Sequence, residues 1–152
     1  MEYPLVRNPI VSASKKGRHS FVNQYLAAYI RYRIEKSEQT FQDALLLAEA
    51  ERWNGSINRL YYACYYIASA LVLKAGLDAK THAGVRNQLN QHYIKTGLLP
   101  MEMGKLYTDL FDSRQKGDYG DLFDFDSETV LSFIHPVRTF LEALKPLAQP
   151  DP

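Results

Sequence analysis

The chain has 152 residues, an ordinary apolar share of 46% and a formal net charge of +1. That length fits one domain with a sizeable core. The charge excludes a global electrostatic footprint for nucleic acid but not a local basic site, and no stretch approaches the roughly 18 apolar residues of a membrane-spanning helix.

Residues 1–22 carry Pro4 and Pro9 and a local excess of basic residues: Arg7, Lys15, Lys16 and Arg18 against Glu2. They read as a leader, loosely ordered or packed on a partner, ahead of a helical domain over 23–149. Helix one is expected over about Val22 to Arg52. Ile34, Phe41, Ala44, Leu45 and Ala48 recur at three- and four-residue steps. Arg31, Arg33, Glu35, Lys36, Glu38, Glu49 and Glu51 are assigned to a solvated outer face of mixed sign. Asn54-Gly55-Ser56 is a turn signal, with Asn54 or Ser56 as the next N-cap.

Helix two, from Trp53 or Ser56 to Ala75, holds the densest pattern in the chain. Ile57, Leu60, Tyr61, Cys64, Ala68, Leu71, Val72 and Ala75 follow the i, i+3, i+4, i+7 template. Four tyrosines stand as adjacent pairs. Tyr61 and Tyr65 share one face; Tyr62 and Tyr66 share the next, joined by Arg59. Such a helix is expected to be covered twice, by its own core and by a second body. Gly76 supplies its stop. The lone cysteine, Cys64, reads as a buried hydrophobe and fits a reducing, cytoplasmic setting.

Thr81 can cap helix three, Ala83 to Thr96, with Val85, Leu89 and Tyr93 inward and Gly97 ending it. Helix four begins at Pro100, carries Met103, Leu106, Tyr107, Leu110 and Phe111, and should fade between Gly117 and Gly120. Residues 120–126 read as an acidic loop pinned by Phe123 and Phe125. Asp126 can cap helix five, whose inward positions are Val130, Ile134, Val137, Phe140 or Leu141, and Leu144. Pro136 should kink this helix; Pro146 and Pro150 should end it. No useful length shows strand alternation. The fold class is therefore all-α, an up-and-down bundle of four to five helices.

The chemistry-bearing motifs are few. No glutamate has a histidine three residues on, and His19, His82, His92 and His135 are scattered, so no metal centre or other cofactor is expected. No Gly-rich phosphate loop and no nucleophile elbow are present. The remaining candidate is Ser113-Arg114-Gln115-Lys116-Gly117-Asp118-Tyr119, where two cations, a carboxylate and a phenol lie close together. It reads either as an Arg114–Asp118 ion pair closing helix four or as a polar pocket for a phosphodiester or nucleotide.

The run Ile57-Asn58-Arg59-Leu60-Tyr61-Tyr62-Ala63-Cys64-Tyr65 resembles the second-helix signature of HEPN domains. Lys80-Thr81-His82-Ala83-Gly84-Val85 is similar to that family's entry to helix three. So is Leu106-Tyr107 through Leu110-Phe111, followed by Arg114 and Asp118-Tyr119, to its fourth helix. The resemblance covers about residues 27–148. It implies a two-fold dimer and a toxin paired with a minimal nucleotidyltransferase antitoxin. It also implies metal-independent endoribonuclease chemistry, built on an arginine followed within a few residues by histidine. Arg114 matches the motif arginine. No histidine follows it in the required window; the next is His135. On this resemblance the site would comprise Arg114, Asp118 and Tyr119 as catalytic residues, with Arg59, Tyr62 and Lys116 binding RNA or nucleotide. Lys116 or His82 would fill the histidine's place in space. The alternative is a non-catalytic dimeric binding or assembly module.

Overall fold

The computed structural model describes the backbone of residues 15–119 and 123–152 and the side chains of residues 21–117 and 123–152. In chain order the elements are α1 (Lys15–Glu49), α2 (Trp53–Lys74), α3 (His82–Leu89), a π-helical turn (Asn90–Ile94), α4 (Met101–Tyr119) and α5 (Ser127–Ala148). The described residues contain no strand, and the all-α bundle expected from the periodicity is what forms.

α2 is the hub. Thirteen of its 22 residues are buried, because α1 and α5 pack along it and α3 and α4 close its remaining side. Leu60, Tyr61, Ala63, Cys64, Ala68 and Val72 are fully buried. Burial also pushes the Cys64 thiol far above its usual range, so it stays protonated and packs as a small apolar group. α1 contributes Ile30, Ile34, Phe41 and Ala44, and α5 contributes Val130, Val137, Phe140 and Leu144. The fold itself thus covers Tyr61 and Tyr65, and half-buries Tyr62 and Tyr66.

Several junctions depart from the expected ones. α1 begins at Lys15, seven residues ahead of Val22, and ends at Glu49 rather than Arg52. Residues 1–14 of the expected leader lie outside the described residues. The turn into α2 is made by Glu51 in the left-handed region at φ 58°. Neither expected cap residue caps this helix: α2 starts at Trp53 after Arg52, with no side-chain cap. Ser56 instead donates to Ala44 O across 2.8 Å, stitching α2 to α1. Asn54 reaches the segment before α5, donating to Asp124 Oδ1 and accepting from Phe125 N, each at 2.9 Å. That segment is pinned by Asn54 and by buried Phe125, while Phe123 stays largely exposed and packs edge-on against Phe125.

The Thr81 cap forms as expected, its Oγ1 accepting from Gly84 N. Helix three then breaks register: Lys95 N donates to Asn90 O, five residues back, instead of continuing the α ladder. α4 crosses this wider turn so closely that a Cβ on Gly104 would stand 3.2 Å from Asn90 Oδ1 and from Ile94. Gly76 and Gly97 both end their helices at positive φ, 76° and 78°. α5 accommodates Pro136 and Pro146 and ends only at Ala148, so Pro146 lies in the last turn instead of terminating it. Arg138 of α5 forms a two-pronged pair with Glu38 of α1, both contacts 3.0 Å, and stacks over Phe41 at 4.2 Å. This pair holds the Glu38 carboxyl below its usual pKa while its side chain stays about half exposed.

Leu60 has no exposed surface and lies at the centre of the hub. Leu60→Ala is expected to cost about 2–5 kcal/mol of stability, measured by urea unfolding. A loss under about 0.5 kcal/mol, the scale of a surface substitution, would remove α2 from the centre of the core.

Candidate functional site

The tyrosine-rich middle of α2 places Tyr61, Tyr62, Tyr65 and Tyr66 on successive edges of one face, and the Thr81 cap swings His82 onto it. The His82 ring lies flat on Tyr65 with centroids 4.1 Å apart and planes 10° off parallel. Tyr62 meets His82 edge-on at 5.7 Å. The Tyr61 hydroxyl is 2.7 Å from His82 Nδ1, and Arg114 Nη1, reaching from α4, is 3.3 Å from the same nitrogen.

The protonation states follow from burial. Burial pushes the Tyr61 phenol up to about 12, so at neutral pH it keeps its proton and donates it. His82 is pushed below its ordinary value, first by burial and then by the positive charges of Arg114 and Arg33. It is neutral, and the two donors converging on Nδ1 assign that nitrogen as the acceptor and place the ring proton on Nε2.

The cations around this core rest on aromatic faces. The Arg114 guanidinium lies 5.3 Å from the Tyr61 ring centre and 5.5 Å from that of Tyr62. Arg59 stacks on Tyr62 at 4.9 Å and is held by Asn58 Oδ1 at 2.8 Å. On the other flank, Arg33 of α1 stacks on Tyr66 at 5.4 Å, on Tyr65 at 5.8 Å and on Tyr29 at 5.1 Å; its Nε also donates to the Tyr29 hydroxyl at 3.0 Å. Beneath the site, Tyr107 is fully buried, its ring 6.0 Å from that of Tyr61. Its hydroxyl lies near Tyr61 but outside hydrogen-bond geometry, and burial drives its pKa well up. Beside Arg114 a groove of about 350 Å³ runs between α2, α4 and Phe125, with Leu47 and Ile57 in its apolar wall and Asn58, Arg59 and Ser113 in its polar one.

Of the residues singled out in the sequence, Arg114, Arg59 and Tyr62 meet at one place, sharing the Tyr62 ring. Lys116 is exposed on α4. The side chains of Asp118 and Tyr119 lie outside the described residues, although both positions continue α4. His82 comes from a different helix and stands against the guanidinium of Arg114. Arg33 was assigned to a solvated face and instead folds onto the tyrosines. The four-residue Tyr29–Arg33 step and the facing pairs on α2 were the available signal, but it cannot be read without knowing how α1 and α2 pack. Among the described residues no group of three metal-ligating side chains occurs, and no helix is long and apolar enough to cross a membrane.

The depressed His82 pKa has a stability consequence. The unfolded chain takes up the proton near pH 6.5 and the folded chain resists it. Stability contributed by neutral His82 is therefore present above pH 6.5 and lost as pH falls from there through the lower folded value. Urea unfolding from pH 7.5 to 5 is expected to show this decline, and His82→Gln, which cannot titrate, is expected to flatten it. An equal slope in both proteins would show that His82 is not the group responsible.

A "UPF0332 protein" of Thermotoga maritima is 38% identical over 120 residues, 79% of this chain and 91% of that one. A protein of Methanocaldococcus jannaschii named "Putative toxin MJ0142" is 28% identical over 112 residues, 74% of this chain and 76% of its own. A second from that organism, "Putative toxin MJ0605", is 27% identical over 126 residues, 83% and 93% of the two chains. The sequence description of the HEPN domain matches residues 30–147, a span holding all of α2 to α4, Arg33, His82 and Arg114, and the chain belongs to the HEPN domain family.

Proposed function

We propose that this HEPN-domain protein is the toxin-type component of a toxin–antitoxin system and engages RNA or a nucleotide at the Arg114 site. The observation that carries the reading is the placement of Arg114. Its guanidinium is held between two tyrosine rings and the lone pair of a neutral histidine. A guanidinium is a planar fork whose geometry matches phosphate oxygens. Arg59 on the same Tyr62 ring adds a second cation, and His82 Nε2–H adds a neutral donor. Asp118 and Tyr119, one turn on along α4, are the further catalytic residues of this reading, and Lys116 adds charge. The names of the archaeal relatives support the toxin role. In this role the chain works as a homodimer in the cytoplasm, with a minimal nucleotidyltransferase as its antitoxin.

Cleavage of RNA in this reading is metal-independent attack of a ribose 2′-hydroxyl on the neighbouring phosphorus, expelling the 5′-oxygen of the next nucleotide. That step needs a proton acceptor and a donor. Among the described residues His82 is the nearest imidazole to Arg114, and a neutral ring is the form able to accept a proton. Its Nδ1 already accepts from Tyr61, so proton transfer at that atom requires the phenol to turn away. This engaged lone pair, with the lack of a histidine in the window after Arg114, is the specific observation behind the second reading: a dimeric HEPN module that binds its ligand without cleaving it.

Induced expression of the full chain, wild type beside Arg114→Ala, tests the proposal, with growth and total RNA followed together. Growth arrest with fragmented RNA in the wild type, both lost in the variant, is expected. Normal growth and intact RNA with the wild type would overturn the toxin reading and leave the binding module. Circular dichroism of purified Arg114→Ala checks that the variant is folded.

A further inference from the structure

Arg33 is one of the α1 cations the sequence placed in solvent, and the structure sets it on the Tyr65 and Tyr66 rings, while Arg114 lies on those of Tyr61 and Tyr62. The rings that carry these two guanidiniums, Tyr65 and Tyr61, are stacked one helical turn apart with centroids at 6.2 Å. His82 lies against both, at 4.1 Å and 5.8 Å. Among the described residues no carboxylate pairs with Arg33, Arg59 or Arg86. Arg33 is instead fixed by the Tyr29 hydroxyl and three aromatic faces. Along α1 the same face continues outward through Tyr32, 45% exposed, and Tyr25, 66% exposed. Phenol rings at three- and four-residue steps beside cations are the elements from which single-stranded nucleic-acid surfaces are made. Bases stack on the rings and phosphates meet the guanidiniums. Arginine, delocalised and weakly hydrated, loses little by resting on rings and keeps its N–H edge for an anion.

Resting on the reading above of Arg114 as an RNA phosphate site, we infer that Arg33 is a second phosphate-binding position, taking a further phosphate of the same single strand. The strand runs across His82, with successive phosphates at Arg114 and Arg33 and the following bases on Tyr29, Tyr32 and Tyr25. A mononucleotide, with its phosphates at one place, fills only the Arg114 half. The positive charge and polar ring edges of this face favour a polyanion over an apolar protein surface, and a second copy of the chain is the competing occupant.

The test is fluorescence anisotropy of a labelled oligouridylate of about ten nucleotides with the full chain at several salt concentrations. Sedimentation of each protein is run alongside. With two phosphates engaged, the slope of log affinity on log salt in the wild type is expected to be about −1.4 or steeper, each phosphate on a single strand contributing about 0.7. Arg33→Gln is expected to weaken binding about tenfold, the scale of one charge-assisted contact, and to make the slope shallower by about 0.7. Arg33→Lys, which keeps the charge, is expected to keep the slope. If Arg33→Gln fails to fold by circular dichroism, the wild-type slope and the lysine variant decide. A wild-type slope near −0.7 would overturn the second position while leaving Arg114 as a phosphate site. Unchanged binding in Arg33→Gln would do the same, and a change in oligomeric mass with it would assign the face to an interface between copies. No oligouridylate binding by the wild type would overturn this inference and RNA as the ligand of the Arg114 site together.

Discussion

Tyr61 donates to His82 Nδ1 across 2.7 Å, and the arrangement of the whole site depends on the direction of that bond. Arg114 fixes the direction, because a guanidinium can only donate and the nitrogen it faces is therefore the acceptor, while burial keeps both partners of the bond neutral. A phenol raised to about 12 does not release its proton near neutrality, and an imidazole depressed by burial and two guanidiniums does not take one up. The bond ties the start of α3 to the middle of α2 and presents the flat of His82 to Tyr65. Arg114 is a second donor to the same nitrogen, at 3.3 Å.

Among the described residues, Arg33, Arg59 and Arg86 are held by polarisable rings and neutral hydrogen-bond partners. Arg33 and Arg59 rest on tyrosines, and Arg86 stacks on Phe111 at 4.4 Å beneath them. A ring attracts a cation without neutralising it, so positive potential survives at the surface even though the chain's net charge is only +1. The contrast with the far side of the bundle is instructive. There Arg138 is matched to Glu38 by two bonds, and the pair joins α5 to α1. One arrangement fastens helices; the other keeps charge available to an anion. Both draw on α1, whose residues Arg33 and Glu38, about 1.4 turns apart, serve opposite sides of the molecule.

Placing the site on α2 also gives it rigidity. The helix that carries four of its rings is the most enclosed element in the fold, surrounded by α1, α3, α4 and α5. Side chains on such a helix have few alternative rotamers, so guanidiniums stacked on them are positioned before a ligand arrives. The π turn after α3 belongs to the same scheme. It widens the backbone where Gly104 lets α4 pass close, and α4 carries Arg114 to His82.

The sequence by itself determined the helices and their inward faces, because apolar residues at 3.6-residue spacing have one way to leave water. Ile34, Phe41, Leu60, Val85, Leu110, Val137 and Leu144 are buried as their spacing requires. It also determined the caps and stops at Thr81, Asp126, Gly76 and Gly97, since these are local backbone chemistry. Arg114, Arg59 and Tyr62 were legible as a group from one helix pattern and a family motif. Tertiary structure alone decided the rest. His82 is 32 residues from Arg114 in sequence and reaches it only because α3 and α4 both dock on α2. Arg33 and Glu38 look alike as charges on an amphipathic helix, and only the packing of α1 sends one to the tyrosines and the other to Arg138. Asn54 had the composition of a cap and became a tether for the segment before α5. Period sets which residues turn inward; the partner a polar side chain meets depends on how the helices cross, and no local pattern encodes that.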